Sequence, residues 1–240
     1  QDVLSHMAAT GEAAPEFNDD FGTFHINQAA YVDLPLVVHT LRASFAMLGR
    51  FRDETFLHSE LKPGTTGWQY RNLHADKVIF CEGAAMKDNP WFKNLPLKPA
   101  KGETLLCHSP TLRLPQKLYH HKKWFLPYPD GNFRIGATYD ESDLSDAPTQ
   151  AKKDELLTAA HEALKKPHQV DVSAHLAGIR PSTIDSRPII GAHPNNLGLY
   201  LVNGLGSKGA STAPTMTQQL TNYILKKSPI EDEVNLTRFY

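Results

Sequence analysis

From Tyr31 to Gly49 the apolar residues recur at helical spacing. Asp33 stands where an N-cap belongs, Pro35 falls in the first turn, and Gly49 supplies a stop. A second helical pattern runs from Ala151 to Lys166, with Leu156, Leu157, Ala160 and Leu164 on one face, and ends before Pro167. A third begins around Thr212–Pro214 and ends near Leu225. Between them lie short runs of strand character: Phe21–Asn27, Glu54–Glu60, Trp68–Arg71, Lys77–Cys81, the tail of Leu97–Cys107, Leu118–His121, Lys123–Pro127, Phe133–Thr138, Val170–Ile179 and Leu199–Val202. Lys62–Gly67 and Pro129–Asn132 read as turns, and Asp143–Asp146 as an acidic loop. Two kinds of strand are visible. The short apolar ones at 78–81 and 199–202 lead straight into glycine, as in a buried parallel sheet. The longer polar–apolar ones in the middle predict an antiparallel sheet with one open face. The fold class expected is α+β (mixed α/β). Residues 1–20 are polar and acidic and read as a loop, or a surface helix followed by a loop, and the stretch after Ser228 reads as a polar tail.

Composition adds mainly exclusions. Forty per cent hydrophobic and 21% charged residues are ordinary for a globular protein. A formal net charge of −1 gives no electrostatic case for nucleic acid or an anionic membrane. No apolar run approaches the roughly 20 residues a membrane helix needs. The start, Gln1-Asp2-Val3-Leu4, has neither a signal-peptide pattern nor an initiator Met, so the chain is expected to begin inside a longer or processed polypeptide. Cys81 and Cys107 sit in apolar surroundings and read as buried thiols of a reducing, cytoplasmic compartment.

The candidate chemistry gathers near the C-terminus. Gly178-Ile179-Arg180-Pro181 leads through Asp185 and Pro188 to Ile190-Gly191. The apolar run Leu199–Val202 then opens into Gly204-Leu205-Gly206-Ser207-Lys208-Gly209, followed by the last helix. Strand, glycine turn and helix N-terminus together can cradle an anion or cofactor, because glycine admits close backbone approach and the helix end is electropositive. Arg180 either holds a carboxylate ligand bidentately or pairs with a neighbour such as Asp185. Twelve histidines raise the question of a metal, but His74, His108 and His120-His121 match no ligand spacing, and adjacent strand residues point to opposite faces. No metal site is expected, and no Gly-x-Ser-x-Gly elbow supports a hydrolase.

Several segments in order are familiar together: Tyr31-Val32-Asp33 opening a helix; Ala75–Ile79 running to Gly83-Ala84; Pro99-Ala100-Lys101-Gly102-Glu103; Pro127 with Asp130-Gly131 and Ile135–Thr138; Gly178–Pro181; and Gly204–Gly209 with Ala213-Pro214. On these the chain resembles the C-terminal two-thirds of the FAD-dependent D-amino-acid-oxidase-like family, which includes glycine oxidase and sarcosine oxidase relatives. The glycine turn is also similar to that of the oxidase domain of the tRNA wobble-uridine methylaminomethyl-forming enzyme. The family's Gly-x-Gly-x-x-Gly pyrophosphate turn is absent. The missing dinucleotide-binding portion is expected on another part of the polypeptide or a separate chain.

The resemblance implies an FAD-dependent oxidoreductase that takes a hydride from a carbon bearing an amine, on a small amino acid with a carboxylate. It implies a substrate domain of residues 21–50 and 85–178, and parts of an FAD-binding, Rossmann-like domain in 51–84 and 179–228. Substrate contacts would come from Arg180, Trp124, Lys122 and Ser207. Ser207 and Lys122 stand where glycine oxidase has an arginine and a histidine. Cofactor contacts would come from Glu82, Gly83, Gly204, Leu205, Gly206, Ser207, Lys208, Gly209, Ala210 and Ser211. Against these stand plainer readings: a solvated Lys122, a half-buried strand aromatic at Trp124, and ordinary tight turns. Two further functions compete: a non-catalytic module of the same fold, and an oxidase acting on a tRNA-linked amine.

Overall fold

The structure is a computed structural model and describes residues 4–12 and 15–240. The chain forms two compact units, residues 1–31 with 101–179, and residues 32–100 with 180–240. Residues 32–50 and 85–100, expected with the middle sheet, therefore fall in the second unit.

The first unit contains an antiparallel pair, β1 (Leu4–Ala8), in the stretch expected to be loop or surface helix, and β2 (Thr23–Ile26), inside the strand expected at 21–27. The start of the first of these stretches, Gln1–Val3, lies outside the described residues. Its main sheet is built from β7 (Ala100–His108), β8 (Tyr119–His121), β9 (Lys123–Pro127), β10 (Asn132–Gly136) and β11 (Asp171–Arg180), in the order β11-β7-β10-β9-β8. The register pairs Phe133 with Cys107 and Pro127, and Ile135 with Leu105 and Phe125. Period-two alternation puts these on one face. There they form a core with Leu156, Ala160 and Ala163 of α2 (Gln150–Ala163) and with Phe17. Thr149 caps α2, accepting from the Lys152 N–H. Pro99–Glu103 turns out to be structural: Lys101 and Glu103 are each 1% exposed and 3.4 Å apart. Lys101 also donates to Asp143 at 2.6 Å, Glu103 lies 2.7 Å from His175, and Glu103 accepts from Thr149. Hydrogen bonding from Lys101, then from Ser145, holds the Asp143 carboxyl at about 2.

The second unit opens with α1 (Leu34–Met47), capped by Asp33, which accepts from the Leu36 N–H at 3.1 Å. A meander of β3 (Leu61–Pro63), β4 (Trp68–Tyr70) and β5 (Leu73–Ala75) comes next. The strand expected at 54–60 does not form. That segment is held by side chains: the Phe56 ring stacks on Tyr70 at 4.3 Å and the Leu57 N–H donates to the Tyr70 hydroxyl. A second sheet contains β6 (Val78–Phe80), β12 (Ile189–Ala192) and β13 (Leu199–Asn203), in the order β12-β13-β6. β13 is parallel to β6 and antiparallel to β12. Met216 and Leu220 of α3 (Gly209–Lys226) pack with Ile190 and Val202. α3 begins earlier than expected because Gly209, read as part of the turn, has helical dihedrals of −54° and −40°. Residues 229–240 are not a loose tail: Ile230, Val234 and Leu236 are buried. Cys81 corrects another expectation, being exposed where β6 ends, whereas Cys107 is buried. No helix among the described residues is long and apolar enough to cross a membrane.

Candidate functional site

The parallel pair β6–β13 fixes where ligand chemistry belongs in the second unit. Parallel neighbours place their carboxyl ends side by side, and in such sheets ligands lie beyond those ends. Here both ends run into glycine turns. After β6 comes Glu82-Gly83, with Gly83 at φ +57°. After β13 comes Gly204–Gly209, with Gly204 at +72° and Gly206 at +55°. One side chain ties the turns together. Buried Asn203 donates from Nδ2 to the Gly83 carbonyl at 2.9 Å and accepts the Gly204 N–H at 2.8 Å on Oδ1.

The segment after β11 joins them. The Gly206 N–H donates to the Pro181 carbonyl at 3.3 Å. A Cβ on Gly206 would lie 3.2 Å from Ser182 Oγ, and one on Gly83 would lie 3.9 Å from Pro181 Cγ. Arg180, partly buried, thus immediately precedes the residues in contact with both turns. Gly204 is demanded by packing, since a Cβ there would meet Thr183 Cγ2 at 2.7 Å. Buried Thr183 pins the loop up to Arg187: its hydroxyl accepts from the Arg187 N–H at 2.9 Å and gives its single proton to either Asp185 Oδ1 at 2.8 Å or the Arg187 carbonyl at 2.7 Å.

Asp185, the candidate counter-ion for Arg180, is engaged by Arg238, whose Nε donates to it at 2.9 Å. Burial pushes this carboxyl up, but the Arg238 and Thr183 hydrogen bonds and the Arg187 N–H outweigh it and set it at about 2. Glu82 is engaged as well: Oε1 is 2.6 Å from His58 Nε2, and Oε2 accepts from the buried Asn89 at 2.7 Å.

The N-terminus of α3 carries no side-chain cap. The Ser211 and Thr212 hydroxyls donate to the Lys208 carbonyl. The first-turn N–H groups remain donors at an electropositive helix end. With Ser207 and Lys208 exposed and two positive-φ glycines beside them, the turn lets a ligand group that carries hydrogen-bond acceptors approach the backbone closely. A flavin fits that description.

Of the other residues singled out by sequence, Trp124 and Lys122 belong to the first unit. A Cβ on Gly136 would sit 2.7 Å from Trp124 Cζ2, so the indole lies over Gly136 on the sheet face opposite the core. Lys122 is 69% exposed and pairs at 3.1 Å with Glu162 of α2, on the core side. The two therefore point to opposite sides of their sheet. Asn203, Thr183 and His58 were not singled out. Asn203 had a visible signal, a lone amide closing an apolar run just before glycine; the others had none.

The chain has known relatives. Residues 2–223 match the family described as FAD dependent oxidoreductase. Glycine oxidase of Pseudomonas putida is 30% identical over 235 residues, which are 94% of this chain and 64% of that protein. The tRNA 5-methylaminomethyl-2-thiouridine biosynthesis bifunctional protein of Marinobacter nauticus is 30% identical over 65% of this chain and 27% of its own length. Among solved structures, glycine oxidase from Geobacillus kaustophilus superposes with a TM-score of 0.79 at 22% identity, over 95% of this chain and 64% of that one. The chain spans less than two thirds of each of these relatives. With the glycine turns at the ends of β6 and β13 matched by a family model along nearly its whole length, the chain belongs to the FAD dependent oxidoreductase family.

Proposed function

We propose that the protein carrying this chain is an FAD-dependent oxidoreductase that oxidises a small amine bearing a carboxylate at the carbon next to nitrogen. The observation that carries the reading is the convergence, in one unit, of the Gly83 turn, the Arg180–Ser182 segment and the Gly204–Gly209 turn, bound together by Asn203 and the Gly206 N–H. When bound, FAD supplies the hydride acceptor. In this reading the backbone from Gly204 to Ser211 lines the flavin, and the uncapped end of α3 favours negative charge there. The Glu82-Gly83 turn lies beneath the cofactor, its carboxylate held back by His58 and Asn89. Arg180 holds the substrate carboxylate, with a guanidinium fork matched to two oxygens. The pyrophosphate is held outside these 240 residues, by a portion with the Gly-x-Gly-x-x-Gly turn.

The protein incubated with FAD and freed of excess should retain flavin. Anaerobic addition of glycine, sarcosine or a related amine should bleach its visible absorbance. Arg180→Gln should raise KM for a carboxylate-bearing amine about tenfold or more, with less effect on the corresponding amide. A protein that takes up no FAD, or whose flavin no member of such a panel bleaches, overturns the reading.

A second reading, oxidation of an amine carried on tRNA, draws on the likeness to the tRNA-modifying relative and on the Gly-Leu-Gly-Ser-Lys-Gly turn. It requires tRNA binding that weakens steeply with salt. Absence of such binding removes it.

A further inference from the structure

The first unit's main sheet buries one face under α2 and Phe17. Thr104, Leu106, Trp124, Leu126 and Arg134 line the other, each only partly covered. The register places Arg134 between Leu106 on β7 and Leu126 on β9, two positions along β10 from Gly136. Trp124 lies over Gly136, so the arginine rises from an apolar floor beside an indole.

Arg134 differs from most arginines of this chain. Arg42, Arg52, Arg71, Arg187 and Arg238 each have a carboxylate partner. Arg134 Nε is buried and has no hydrogen-bond partner, and no carboxylate among the described residues pairs with the guanidinium. Withdrawing a guanidinium donor from water without compensation is unfavourable, and a structural arginine relieves it with an acid or a carbonyl. A cation set between leucines beside an aromatic surface, with donors in a planar fork, instead suits an organic carboxylate with an apolar body. Phosphate, more strongly hydrated and lacking an apolar part, makes no use of the Leu106, Leu126 and Trp124 surroundings.

We propose that Arg134 is a carboxylate-binding residue on the open face of this sheet. The site lies within the first unit and stands independently of the oxidoreductase reading.

The test uses the whole protein, with butyrate as probe and butyramide as its neutral isostere, monitored by ligand-observed NMR. An Arg180→Gln background removes binding at that arginine. Butyrate should bind and butyramide should not. Arg134→Gln should weaken butyrate about tenfold or more, while Arg134→Lys, keeping the charge but losing the fork, should lose less. Should Arg134→Gln melt at a lower temperature than the parent, Arg134→Lys decides the matter, because binding that tracks charge separates a site from a packing role. Equal affinity of parent and Arg134→Gln, loss as complete in Arg134→Lys, or equal affinity for butyrate and butyramide overturns the proposal. Flavin bleached by an amine while Arg134→Gln binds butyrate normally removes the Arg134 site and leaves the oxidoreductase reading. Butyrate binding that depends on Arg134, in a protein whose flavin no amine bleaches, does the reverse.

Discussion

Asn203 and Gly204 form the joint on which the candidate site depends. Gly204 combines a left-handed φ of +72° with a Cβ position 2.7 Å from Thr183 Cγ2 and 3.1 Å from the Ile189 backbone nitrogen. Gly204→Ala should therefore destabilise the protein by about 1–3 kcal/mol, from strain and crowding together. Chemical denaturation checks this; an unchanged midpoint would mean that the turn relaxes freely. Asp185 makes a pH-dependent contribution. Its carboxyl titrates at about 2 in the folded protein against an ordinary 3.8. A depressed carboxyl stabilises above its unfolded value and loses that stabilisation as pH falls through the folded one. Asp185→Asn should thus cost on the order of 1 kcal/mol at pH 7, once solvent screening is allowed for. About half of that difference should remain at pH 3. Melting curves at the two pH values measure it, and a gap that widens on acidification would contradict the assignment. The partners of Asp185 were not legible in the sequence. Asp185 lies 5 positions from Arg180 and 53 from Arg238, yet the ion pair forms with Arg238, because residues 229–240 pack back against β12.

At the level of elements, helices with local signals were the most legible. Asp33, Pro35 and Gly49 bracket α1 within two residues, because capping and φ preference act inside one turn. The strand missed at β5 and the false one at 54–60 show the opposite case. A three-residue strand depends on its partner's ladder, and a chain held by an aromatic stack looks extended in sequence without pairing. α1 poses a further question. It is amphipathic in pattern, yet no residue in it is buried, and Leu36, Val38, Leu41 and Phe45 are 46–60% exposed. Such a face does little for stability in these 240 residues and favours self-association. Leu41→Lys with Phe45→Lys should change stability of the isolated chain by less than about 0.5 kcal/mol while lowering light scattering at high concentration. A loss of several kcal/mol would show that the face is packed in solution.

At the scale of the molecule, chain order and spatial grouping diverge. The polypeptide passes between its two units at residues 31/32, 100/101 and 179/180. No local signal marks those points; the crossing at 179/180 lies inside the regular strand β11. The near-zero net charge bears on neither unit, and the family match covers both. By itself the sequence determined the fold class, the three helices, the glycine turns and the family, because periodicity, capping and turn chemistry are written in neighbouring residues. Tertiary structure alone decided that β6 and β13, read in sequence as strands of a buried parallel sheet, are immediate neighbours in register, that Asn203 joins their turns, and that Asp185 belongs to Arg238. It also decided that Arg134 stands without a carboxylate partner, among the described residues, on the face shared with Trp124. Each of these is a meeting of residues far apart in the chain, set by strand register and core packing rather than by any local preference.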